Sequence, residues 1–168
     1  MPSRTSLPFA VLLLAGCATY APPGTAPAGA SATAGHAPVV GTWRIARYQR
    51  WDAQGRVGTP YGDPTSGLVV FDAAGRASVQ MMRTPPVRPF ATPYEPTPEE
   101  ARDAYHAYVG YYGTYTVDEA ARVLTVRAEG SSWPAYTGTD QKRPFRLAGD
   151  TLFLGVPGRY QATLVRVR

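Results

Sequence analysis

From residue 39 onward, apolar and polar positions alternate in short runs rich in Val, Tyr, Phe and Thr, broken by Gly-containing turns. Alternation with a period of about two residues predicts strands that bury one face. Residues 40–51 read as a first strand, with Trp43, Ile45 and Arg47 on one face and Arg44, Ala46 and Tyr48 on the other. Asp52-Ala53-Gln54-Gly55 and Tyr61-Gly62-Asp63-Pro64 are turns. Residues 68–72 and 76–83 form the clearest hairpin, joined through Asp72-Ala73-Ala74-Gly75. Further strands are expected at 111–117, 122–128, 141–147, 151–156 and 160–167. That makes about eight strands at spacings expected of a small antiparallel barrel or sandwich.

One segment breaks the alternation. Thr97 can cap a helix, Pro98 suits its first position, and Glu100 stands where a capping box needs an acid. Glu99 and Glu100 also suit the positive end of the helix dipole. The helix is expected to reach Tyr108 or Val109 and to stop at Gly110. Before it, residues 84–96 hold five prolines and must be an extended loop. Such a loop and helix would lie across one barrel mouth as a lid or, in the more ordinary role, close the barrel end as a hydrophobic plug.

The N-terminus follows another logic. Arg4 supplies a positive start and residues 7–14 a short apolar run. That run falls short of the roughly 20 residues a membrane span needs, so residues 1–16 read as a signal peptide. Leu14-Ala15-Gly16-Cys17 resembles a bacterial lipobox, which implies acylation of the Cys17 sulfur and cleavage before it. Several acyl chains on one residue would anchor the protein stably, whereas one chain binds only marginally. Ala18 stands where an inner-membrane retention signal would resemble Asp, which favours the outer membrane, facing the periplasm. Residues 17–38 form the lipidated Cys and a tether. Of the 21 positions from 18 to 38, 15 are Ala, Gly or Pro, too few apolar groups to offset the entropy of ordering. His36 is then an exposed linker residue. The folded domain is residues 39–168.

Composition narrows the chemistry. The chain has 168 residues, 17 Lys+Arg against 12 Asp+Glu, and one Cys. One Cys excludes an intramolecular disulfide and a Cys-cluster metal site. A formal charge of +5 without a dense basic block does not point to nucleic acid. No Gly-rich phosphate loop, Gly-x-Ser-x-Gly elbow or metal-spaced His/Cys/Asp cluster occurs, so neither a metal nor a cofactor is expected. His106 falls on the helix, as a surface or lid residue.

Five motifs in order carry a resemblance. They are Gly41-Thr42-Trp43-Arg44, Pro60-Tyr61-Gly62, Gly75-Arg76-Ala77-Ser78-Val79-Gln80, Gly110 through Val117 (Gly-Tyr-Tyr-Gly-Thr-Tyr-Thr-Val), and Gly138-Thr139-Asp140-Gln141-Lys142-Arg143. Together they resemble the bacterial lipocalin-like domain family over about residues 40 to 168. The resemblance implies an eight-stranded antiparallel calycin-type barrel with an interior cavity; with the helix read above, the expected fold is all-β with one helix, the barrel interrupted by a loop-helix excursion. It implies no settled activity. Members often carry a His after the Tyr-Thr-Val strand, and residues 123–129 contain none, so no role of that His carries over.

Tyr105, Tyr108, Tyr111, Tyr112 and Tyr115 crowd one short stretch. Tyr111 and Tyr115 share one strand face and Tyr112 lies on the other; one face must enter the barrel, and Tyr112 is the residue to test if Tyr115 lies outside. Tyr111 and Tyr115 are therefore ligand-binding candidates, and the family motifs add Trp43, Gln80, Trp133, Gln141 and Arg143. Aromatic walls with a few polar anchors suit a hydrophobic ligand carrying one polar or acidic group; the alternative is a barrel filled by these side chains. Arg76, Arg83, Arg88 and Arg143 could meet an anion, although lone arginines are more often solvated or paired. The leading functional expectation is a lipid-anchored envelope protein whose barrel binds a small hydrophobic ligand without catalysis. The alternatives are an isomerase- or cyclase-type enzyme using cavity tyrosines, and a structural lipoprotein with a filled barrel. Cys17→Ser is expected to abolish labelling by a clickable fatty acid and to release the protein from membranes; labelling that persists contradicts acylation there.

Overall fold

The structure, a computed structural model, describes residues 38–168. The expected signal peptide, Cys17, and the expected tether up to residue 37 with His36 lie outside the described residues. In chain order the elements are β1 (Gly41–Trp51), β2 (Val57–Gly58), β3 (Ser66–Phe71), β4 (Arg76–Met82), α1 (Pro98–His106), β5 (Tyr108–Asp118), β6 (Val123–Ser131), β7 (Asp140–Ala148), β8 (Thr151–Val156) and β9 (Tyr160–Arg166). A single 3-10 turn, Pro134–Tyr136, interrupts the path from β6 to β7. From β3 onward each strand pairs antiparallel with the next; β1 pairs with both β3 and β9, closing an eight-stranded barrel. Closure leaves no free edge. The two-residue β2 only extends the far end of β1.

Alternation decides what faces inward. Ala77, Val79 and Met81 of β4 point in, and so do Leu124, Val126 and Ala128 of β6. On β1 the simple alternation fails. Ile45 pairs with Leu164 and Arg47 with Thr163, so Ala46 is an extra residue, a β-bulge. Past a bulge the faces exchange: Arg47 turns outward to Asp63, 2.9 Å away, and Tyr48 turns inward. The expected grouping of Arg47 with Trp43 and Ile45 is thereby corrected.

One end of the barrel is packed solid. Trp43, Phe71, Tyr115, Leu124, Leu152 and Leu164 form this floor. Trp43 is fully buried, its indole N–H donates to Val39 O at 2.8 Å, and the Arg166 guanidinium lies 4.1 Å from its ring centre. Arg166 also donates to the carbonyls of Val40 and Pro38, sewing the incoming chain to β9. Tyr115 packs 4.9 Å from Phe71, and its hydroxyl donates to Asp72 O at 2.8 Å.

The helix forms as its caps predict. Glu100 N donates to the Thr97 hydroxyl and Thr97 N to the Glu100 carboxylate, with Pro98 in the first turn. It ends earlier than Gly110, because Tyr108 and Val109 pair with Met82 and Met81 and begin β5. It is neither plug nor lid. None of its residues is buried, and none lines the barrel interior. Its apolar side chains, Ala101, Ala104 and Tyr105, are too few to fill a barrel end. It rides outside, held where Arg83 forks onto Asp103 at 2.8 and 2.9 Å.

Because Tyr115 belongs to the floor, Tyr115→Ala is expected to cost about 3–5 kcal/mol, as buried aromatic truncations do. Chemical denaturation would measure it, and wild-type stability in that variant would contradict the placement.

Candidate functional site

Above the floor the barrel is hollow. The cavity has a volume of about 700 Å³, within the range of sites that enclose small molecules. Its depth is aliphatic, formed by Ile45, Val69, Val79, Leu154 and Leu164. Higher up stands an aromatic collar of Tyr48, Tyr61, Tyr111, Tyr136 and Tyr160 with Trp51 and Trp133. Rings in this collar meet edge to face: Tyr48 with Tyr61 at 5.7 Å, Tyr111 with Tyr136 at 5.7 Å, and Trp133 with Tyr136 at 5.6 Å. Such contacts add to the stabilisation from burial alone.

The backbone explains how the collar is set. Tyr48 points in because of the bulge at Ala46. Tyr61 arrives from a turn in which Gly62 has φ +80°, and a Cβ there would stand 1.9 Å from Thr84 O. Only glycine fits so close to that carbonyl. Thr84 N in turn donates to Tyr61 O at 3.0 Å, which fixes the turn against the end of β4. Tyr136 is carried by the 3-10 turn that starts at Pro134.

Of the seven residues expected to meet a ligand, Tyr111, Trp133, Gln141 and Arg143 line the cavity. The other three do not. Trp43 and Tyr115 point inward but lie within the packed floor. Gln80 is exposed on the outer face, because Val79 and Met81 on either side of it take the inward positions. Arg76 and Arg83 pair with Glu129 and Asp103, and Arg88 lies exposed in the loop. His106 is exposed on the helix, its ring against Tyr105. Among the described residues no group of three His, Cys, Asp or Glu side chains could hold a metal.

Polar groups inside the cavity are sparse and arranged. Arg143 donates from Nη2 to Gln141 Oε1 and from Nη1 to Lys142 O, both at 3.0 Å, and lies 5.6 Å from the Tyr160 ring centre. Gln141 Nε2 donates to Thr139 Oγ1 at 2.7 Å, which holds the amide in place for Arg143. The Trp133 indole nitrogen is buried without an acceptor. Burial pushes the Tyr111 hydroxyl up to about 12, against the opposing pull of Arg143. Burial also pushes Tyr61 up to about 12, with Tyr48 and Tyr136 adding to the shift, and it raises Tyr48. These hydroxyls stay protonated, as donors. The one carboxylate of the lining, Asp52, is held low by its hydrogen bonds from Arg56 and sits at the rim.

A closed eight-stranded meander with a hollow upper half is the context for the comparisons. Residues 40–163 match the family described as lipocalin-like domain. The chain belongs to that family. The lipocalin-like fold accounts for the barrel, and its interior suits a ligand-binding module. The chain is also similar to a solved structure described as an uncharacterized protein from Bacteroides eggerthii DSM 20697. Identity is 15%, coverage is 76% of this chain and 98% of that one, and the TM-score is 0.44. No curated protein matches the sequence.

The buried hydroxyls of this lipocalin-like barrel set its alkaline limit. A tyrosine whose pKa is raised in the folded state binds its proton more tightly than in the unfolded chain, where it titrates near 10. The stability contributed by Tyr61, Tyr111 and Tyr115, each pushed up to about 12, is therefore complete below about pH 10 and lost as pH rises toward 12. Urea melts at increasing pH, with tyrosinate absorbance followed alongside, should show stability falling only across that window.

Proposed function

We propose that this is a lipid-anchored protein of the bacterial envelope whose barrel holds a small hydrophobic ligand without transforming it. The observation that carries the reading is the cavity of about 700 Å³, aliphatic in its depth and ringed by aromatic side chains. Burying an apolar molecule there yields roughly 25 cal/mol per Å² of surface removed from water. The lipobox at Cys17 supports attachment to a membrane, and Ala18 favours the outer one.

Two alternatives are weaker on the same observations. A structural protein with a filled barrel does not account for the empty upper half. An isomerase or cyclase needs a group poised to exchange a proton near neutral pH. Tyr48, Tyr61 and Tyr111 are shifted away from that range, and Asp52 is engaged by Arg56.

The test has two arms. Native mass spectrometry of the full chain purified from its own cells should reveal a co-purifying small molecule released on activation. Ala162, inward on β9 beside Tyr48 and Leu154, offers a way to fill the space. Ala162→Trp is expected to weaken binding of the uncharged dye N-phenyl-1-naphthylamine by roughly tenfold or more while the protein stays folded. Unchanged dye affinity, or no saturable binding by wild type, would sink the reading.

A further inference from the structure

Several surface arginines among the described residues sit in ion pairs. Arg47, Arg76, Arg83 and Arg127 meet Asp63, Glu129, Asp103 and Asp140, and Arg166 and Arg168 share Asp150. Inside the cavity the arrangement differs. Arg143 faces the interior, half-buried on β7, and makes no ion pair. Its two hydrogen bonds go to neutral oxygens, a side-chain amide and a main-chain carbonyl. An inward cation without a counter-charge is costly, and the chain could have avoided that cost by turning the residue outward.

We infer that the missing counter-charge belongs to the ligand: the barrel takes an anionic amphiphile, an apolar molecule ending in a carboxylate-like group received by Arg143. This rests on the reading of the cavity as a ligand site and names the class of its occupant. The guanidinium is pre-set for the task, steadied by Gln141, which Thr139 holds, and by the Tyr160 ring. A planar fork of N–H donors matches a carboxylate, and orientation in advance reduces the entropy lost on binding. The Tyr48 and Tyr111 hydroxyls interact electrostatically with Arg143 and have no hydrogen-bond partner among the described residues, so both can donate to the same anion. The apolar part then lies against Ile45, Val69, Leu154 and Leu164. At the mouth, Arg50 and Arg159 add positive charge and neither is paired, which favours the approach of an anion.

A matched pair of dyes tests this. 8-Anilinonaphthalene-1-sulfonate and N-phenyl-1-naphthylamine share a ring skeleton and differ by the sulfonate. The protein is the full chain carrying Cys17→Ser, so that no acyl chain competes for the cavity. Wild type at position 143 should bind the sulfonate at least roughly tenfold more tightly than the neutral dye, at one dye per chain. Arg143→Met should weaken the sulfonate by about ten- to a hundredfold and the neutral dye far less, with Arg143→Lys between. Equal affinities for the two dyes, or equal loss of both in Arg143→Met, would overturn the inference while the cavity reading stands. The comparison of dyes on the unmutated site needs no variant to fold. Saturable binding of neither dye overturns the cavity reading and the inference together.

Discussion

The cavity depends on one buried threonine. Thr65 is the buried polar residue of the described core, and it sits beside the bulge in β1. A bulge leaves backbone groups out of the ladder, and buried backbone groups must find partners. Thr65 supplies them. Its N–H donates to Ala46 O, its hydroxyl accepts from Tyr48 N at 3.0 Å, and the same hydroxyl donates to Gly62 O at 3.0 Å. One side chain thus makes the extra residue in β1 tolerable and ties the Tyr61-Gly62 turn to it. Below the bulge, β1 sends Trp43 and Ile45 inward toward the floor; above it, Tyr48 and Arg50 line the cavity. Without the extra residue, the inward face would continue through Arg47.

The two halves of the barrel divide the work of folding and of holding a guest. The floor uses large apolar groups whose few polar atoms are satisfied by backbone, as with Trp43 on Val39 and Tyr115 on Asp72. The collar uses amphipathic rings, which cover apolar surface while carrying a hydroxyl toward the hollow space. Burial keeps the Tyr61 and Tyr111 hydroxyls protonated, so they serve a guest as donors. Arg143 is an inward-facing cation among them, held by Gln141 Oε1, Lys142 O and the face of Tyr160 but making no ion pair.

Much of this was legible in the sequence, and the misses have physical reasons. Alternation located the barrel strands and the hairpin, and Thr97-Pro98-Glu99-Glu100 located the helix, because these signals are local. Tyr111, Gln141 and Arg143 were reached through strand parity or motif. Gln80 was assigned inside although Val79 and Met81, apolar on either side of it, already indicated the opposite face. Trp43 and Tyr115 point inward but into the floor, and depth along the barrel axis is not written in alternation. Tyr48 was hidden by the bulge, whose only nearby cue, Thr65, acts from another segment. Tyr61 and Tyr136 come from turns, where no periodicity says which way a side chain points. Tyr160 could have been found, since it alternates with Ala162 and Leu164 on β9.

The excursion between β4 and β5 has a consequence for how such a barrel can vary. Apart from Ala107, buried where the segment rejoins β5, the loop and helix add nothing to the hydrophobic core, and hydrogen bonds at Arg83 and Thr84 tie them to their surroundings. Met82 and Tyr108, the residues that flank it, already face each other in register. The segment is spliced between two adjacent rungs of a finished ladder. Beyond Thr84, whose backbone holds the Tyr61 turn, its length and composition can drift while the shape of the interior stays the same. It offers a natural point at which to graft a foreign peptide onto this scaffold.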